Sequence, residues 1–253
     1  MSPQLEAVAF SATPNTNIPL TERVILALDV ETVADAKKVV NEVGSLVTFY
    51  KIGLQLQFNG GLHYARKLID QGKKVFLDSK IFDISNTIER TVENISHMGV
   101  HFLTVHGDKQ VIEAAAKAKG DHLKVLAVTF LTSLNQNDLR DMHIDMSVEE
   151  FVKFRAKLAI SAGADGVIAS GREASMVRSL GGQNLRIVTP GIRPEGTPAN
   201  DQRRIVTPSE AIEAGADYLV VGRPVLHAQS KTRMLESIFT EVQKAASRQQ
   251  AAA

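Results

Sequence analysis

Eight short apolar runs, each followed by a longer amphipathic stretch, dominate this chain of 253 residues. They span 24–29, 47–51, 74–78, 100–106, 124–130, 165–169, 185–189 and 217–222. The runs are nearly continuous in apolar residues rather than alternating, as parallel strands buried on both faces are. Their starts recur about every 28 residues, the length of one strand-plus-helix unit of a closed barrel. The intervening stretches have helical period. Residues 32–43 open on Thr32, a capping residue, and set Val33, Ala36, Val39, Val40 and Val43 on one stripe. Residues 85–98 and 147–162 repeat that pattern, and Gly99, Gly163 and Gly215 stand where a helix must stop before the next strand. The pattern predicts an α/β fold, a closed (β/α)8 barrel of the TIM type, as one domain over 21–246. Residues 1–20, rich in Ser, Thr, Asn and Pro, read as a flexible arm, and 247–253 as a tail. A doubly wound open sheet is the alternative, and the lack of a glycine-rich nucleotide fingerprint weighs against it.

Composition removes several function classes. Cysteine is absent, which excludes disulfides, cysteine-held metal or iron–sulfur centres, and thiol nucleophiles. The net charge is +1, with no block of like charge, so a dedicated nucleic-acid binder is not expected. No apolar run approaches the roughly 18 residues of a membrane span. The N-terminus lacks the basic region of a secretion signal, so a cytoplasmic, membrane-free protein is expected.

Charge gathers where the strands end. Strand one ends in Asp29, strand two in Lys51, strand three in Asp78-Ser79-Lys80 with Asp83 beyond it, and strand eight in Gly222-Arg223. A buried charge is costly unless paired. One such residue reads as a rim salt bridge; several at one face of a barrel read as a site. Residues i and i+2 of a strand share a side, so Asp78 and Lys80 face the same way. Lys51, Asp78, Lys80 and Asp83 then form an alternating array in which each charge is flanked by its opposite. A network that serves structure alone competes with that reading for any single pair. The loops after strands seven and eight, Thr189-Pro190-Gly191-Ile192-Arg193 and Val220-Val221-Gly222-Arg223-Pro224, offer backbone N–H groups and arginine forks suited to phosphate. The polar segment 193–205 is long enough to close over a ligand. His106 ends strand four and either lines the pocket or serves structure.

Taken with LALD ending at Asp29, YKIG with Lys51, FLDSKIFDISNT from Phe76 to Thr87, TVHGD from Thr104, LTS at 131–133, TPGIRP from Thr189, Asp201-Gln202 and VVGRP from Val220, these residues carry a resemblance. From about residue 22 to 245 the chain resembles the orotidine 5′-phosphate decarboxylase family. It departs from the usual pattern at Ser85, where the family has proline. The resemblance implies decarboxylation of orotidine 5′-phosphate to UMP with neither metal nor cofactor. It makes Lys80 the proton donor to C6, with Lys51, Asp78 and Asp83 completing the array. It assigns Asp29 and Lys51 to the ribose, Thr132 to the base, and Arg193, Gln202, Gly222 and Arg223 to the phosphate. It also implies a homodimer in which Asp83 and Thr87 reach the neighbouring subunit's site. A Mg²⁺-dependent phosphosugar decarboxylase or aldolase of the same barrel superfamily is the rival. Those enzymes resemble the chain in D-x-K-x-x-D but carry an acid where Lys51 stands.

Overall fold

The apolar runs become strands with both faces covered, and the two faces have different partners. In the computed structural model, which describes residues 18–195 and 205–252, the described residues include eight parallel strands. These are β1 (Val24–Ala27), β2 (Phe49–Gly53), β3 (Lys74–Ile81), β4 (Phe102–Val105), β5 (Lys124–Val128), β6 (Gly166–Ile168), β7 (Arg186–Thr189) and β8 (Tyr218–Val221). They pair in sequence order, and β8 closes on β1 with Ile25 opposite Val220. The expected closed (β/α)8 barrel is therefore the fold. Every ladder is parallel, as helical crossovers require.

Side chains alternate along each strand. Leu26, Tyr50, Ile52 and Leu77 point outward and join the helices in the larger core. Ile25, Phe49, Phe76, Phe102, Leu126 and Tyr218 point inward and fill the lower barrel. The rings of Phe49 and Phe102, and of Phe102 and Tyr218, each lie 5.0 Å apart. This aromatic plug is the floor. Two residues further along β2, β3 and β4 the inward positions are Lys51, Asp78 and Thr104, so charge sits directly above a sealed apolar layer.

The helix signals act as anticipated. Thr32 caps the helix Val33–Val43 by accepting the Asp35 N–H at 3.1 Å. Ser147 caps Val148–Ser161 in a reciprocal box with Glu150. Gly99, Gly163 and Gly215 all have positive φ, the backbone that ends a helix at little cost only for glycine. Most strand ends shift by one or two residues from the expected ranges, β2 to 49–53 among them, and two shifts are larger. β3 does not stop at Asp78 but continues to Ile81, through an irregular stretch. The last helix runs Lys231–Ala252, so the residues expected to form a tail continue it, and Arg248 reaches Glu213 at 3.0 Å. No described helix is long and apolar enough to cross a membrane.

Candidate active site

The C-terminal mouth of the barrel holds a cavity whose lining includes Asp29, Lys51, Asp78, Lys80, Thr132, Arg193, Gly222 and Arg223. Eight separately predicted residues thus meet in one hollow. Gly191 and Pro190 of the strand-seven loop join them, while Phe76, Val128, Ile168 and Val220 supply an apolar wall.

Lys51 is the hub. Its ammonium lies 2.9 Å from Asp29 Oδ1 and 3.5 Å from Asp78 Oδ2. Asp78 Oδ1 in turn lies 2.7 Å from Lys80 Nζ. The order within one chain is therefore Asp29–Lys51–Asp78–Lys80. Burial is the largest influence on Lys51 and would lower its pKa, but Asp29 and Asp78 together outweigh it and hold the pKa above the ordinary lysine value. Burial likewise pushes Asp78 up, yet Lys51, Lys80 and a hydrogen bond from Thr104 bring it below the usual carboxylate value. Asp78 and Lys51 are both charged at neutral pH.

The ion pair needs room, and Gly53 gives it. A Cβ at Gly53 would fall 2.9 Å from Asp29 Oδ1 and 3.1 Å from Lys51 Nζ. The role of Gly53 is invisible in the sequence, because it depends on which side chains cross the strand end.

Asp83 does not sit in this cavity. β3 ends at Ile81, and Asp83 lies exposed just before the helix Ser85–His97, where its Oδ1 accepts the Ile84 N–H at 2.7 Å. Thr87 is also exposed, on the first turn of that helix. Within this chain the array is extended by Asp29 at its Lys51 end, and the position beside Lys80 expected for Asp83 is not filled by Asp83. Asp83 instead faces a shallow hollow with Phe82, Ile84 and Lys109. His106 is exposed and outside the cavity lining; its Nδ1 lies 2.6 Å from Asp108 Oδ2 and its ring 5.0 Å from that of Phe82. Gln202, expected at the phosphate, lies outside the described residues. Ser85 occupies the first helical position, where a backbone N–H has no partner to lose, so its departure from proline leaves the turn in place.

Residues 22–238 match the sequence profile described as "Orotidine 5'-phosphate decarboxylase / HUMPS family". The chain belongs to this family. Within the orotidine 5′-phosphate decarboxylase / HUMPS family, a protein of Rhodopseudomonas palustris (strain ATCC BAA-98 / CGA009) named orotidine 5′-phosphate decarboxylase is 48% identical over 227 residues, 89% of this chain and 96% of its own. One of the same name from Nitrobacter winogradskyi is 45% identical over 222 residues, 87% of this chain and 92% of its own. The crystal structure of orotidine 5′-phosphate decarboxylase from Lactobacillus acidophilus superposes with a TM-score of 0.78 at 35% identity, covering 87% of this chain and 99% of that one.

Proposed function

We propose that this chain is a carboxy-lyase that converts orotidine 5′-phosphate to UMP without metal or organic cofactor. The observation that carries the reading is the Asp29–Lys51–Asp78–Lys80 array, which shares one cavity with Arg193 and Arg223. The arginines and the backbone at Gly222 hold the phosphate. Asp29 and Lys51 meet the ribose, and Thr132 lies by the base. C6 then faces Lys80. As the C6–carboxylate bond breaks, CO2 leaves and the electron pair stays on C6. Lys80 Nζ gives that carbon a proton, and solvent later restores it. An ammonium at a developing carbanion interacts more strongly in the transition state than in the ground state, which is the requirement for catalysis. Phosphate binding, remote from the bond that breaks, supplies energy for positioning.

The array argues against the Mg²⁺-dependent rival. The carboxylates best placed to hold a cation, Asp29 and Asp78, already share the Lys51 ammonium. The test is ultraviolet loss of orotidine 5′-phosphate in excess EDTA. Undiminished turnover is expected; no turnover, or dependence on added Mg²⁺, overturns the proposal.

Gly53→Ala tests the array itself. The added methyl must displace Asp29 or Lys51, and a shift of about 1 Å in a reacting constellation can lower the rate by about 10²-fold. A fall in kcat of at least tenfold with little change in melting temperature is expected. Wild-type kcat would mean that the tight Asp29–Lys51 geometry is not needed.

A homodimer follows as part of the proposal. Asp83 and Thr87 are exposed and outside the lining of their own cavity, and Phe82 and Ile84 beside them are 66% and 71% exposed. Apolar residues that exposed beside a stranded acid suit a subunit contact. Mixing Lys80→Ala and Asp83→Ala subunits gives heterodimers in which one of the two sites has both groups. About half of wild-type activity per heterodimer is expected. Absence of activity in verified heterodimers would place Asp83 outside the partner's site.

A further inference from the structure

Between Leu77 and Ile81, β3 advances four residues while β4 advances only two, from Leu103 to Val105. Asp78, Ser79 and Lys80 therefore all stand opposite the single residue Thr104. The excess is absorbed at Lys80, whose φ is 46°, a left-handed conformation that a residue with a side chain rarely adopts. The kink takes the Lys80 N–H off the regular ladder, and the Thr104 hydroxyl accepts it at 3.0 Å. The same hydroxyl donates to Asp78 Oδ1 at 2.9 Å. That carboxylate oxygen also receives Lys80 Nζ at 2.7 Å. Thr104 is wholly buried, and its two contacts use its donor and an acceptor site. On the other side of the kink Ser79 Oγ donates to Gln57 Oε1 at 2.9 Å, and Gln57 Nε2 donates to the Ile52 carbonyl at 2.7 Å.

We propose that Thr104 is a positioning residue for the decarboxylation: through one hydroxyl it fixes the left-handed backbone of Lys80 and the rotamer of Asp78. The inference rests on the decarboxylase reading for its rate consequence, but not for its geometry. Thr104 touches neither substrate nor the reacting atoms. It acts by setting where Lys80 Nζ and the Asp78 carboxylate stand relative to one another.

Two substitutions separate this role from packing. Thr104→Val keeps the volume and removes the hydroxyl; Thr104→Ser keeps the hydroxyl and removes a methyl. Losing a buried hydrogen bond to a charged group, and orphaning the Lys80 N–H, is expected to lower kcat roughly 10- to 100-fold in the valine variant. Inhibition by UMP should stay within about threefold, since the phosphate grip is untouched. Thr104→Ser should recover most of kcat despite a lower melting temperature. A valine variant within about threefold of wild-type kcat, or a serine variant as slow as valine, overturns the proposal. A crystal structure of Thr104→Val gives a readout independent of activity. Lys80 is expected to leave φ near 46°, or Asp78 to change rotamer, and an unmoved Lys80–Asp78 pair overturns the proposal even if activity falls. A wild-type protein that does not turn over orotidine 5′-phosphate defeats the decarboxylase reading, and the structural comparison still decides the role of Thr104.

Discussion

Lys80→Ala is expected to lower turnover of orotidine 5′-phosphate by roughly 10⁴-fold or more while leaving UMP binding largely intact. Two contributions vanish together. Proton delivery by a positioned group is worth about 10²–10⁴-fold, and a preorganised charge at the developing anion about 10²–10³-fold. Ground-state binding depends on other atoms. Arg193, Arg223 and Gly222 also line the cavity, and Asp78 retains Lys51, now at 3.5 Å, and the Thr104 hydroxyl, now at 2.9 Å, as partners once Lys80 is gone. The signature is therefore a collapse in kcat with little change in UMP inhibition. Single-turnover ultraviolet kinetics beside UMP titration would show it. Turnover within tenfold of wild type would remove Lys80 from the proton-donor role and leave the array as a structural network.

The second large effect lies at the opposite end of the barrel. Asp217 and Arg178 are each 1% exposed and paired at 2.6 Å. Asp217 Oδ2 also accepts the Ile187 N–H at 2.8 Å, tying the start of β8 to β7. Arg178 spends its remaining donors on the carbonyls of Gly182, Leu185 and Gly215. Removing the acid strands a buried guanidinium, and breaking such a pair typically destabilises by about 3–5 kcal/mol. Asp217→Ala should therefore lower the melting temperature by about 10 °C at this chain length. Folded protein should keep its kcat, because the pair lies at the N-terminal ends of the strands, away from the cavity. Replacing both residues with apolar ones should not restore stability fully, since three carbonyls lose their donor. A denaturant titration showing less than about 1 kcal/mol of loss would mean that solvent or a neighbour compensates the stranded charge.

The barrel was legible because its signals are local. Continuous apolar runs, the Thr32 and Ser147 caps and the glycine stops each depend on a few adjacent residues. The charged rim was legible too, since a charge ending a buried strand stands out. What could not be read was set by pairing between distant segments. That Asp29 is the direct partner of Lys51 follows from β1 and β2 lying side by side, and the need for Gly53 follows from that pair. Asp78 and Lys80 do meet, but not through simple strand alternation: β3 kinks between them and β4, and Thr104 closes the gap. Nothing in the local sequence distinguishes a strand that kinks there from one that runs straight. Arg178 escaped notice for a similar reason, since an arginine in a helix is usually solvated and only the fold shows it buried.

The left-handed backbone at Lys80 has an evolutionary consequence. Glycine or asparagine would occupy that conformation with less strain, so backbone preference alone pulls this position away from lysine. Selection for chemistry must oppose that drift continually. A descendant barrel released from its reaction should lose lysine here early, and should fold no worse for having done so.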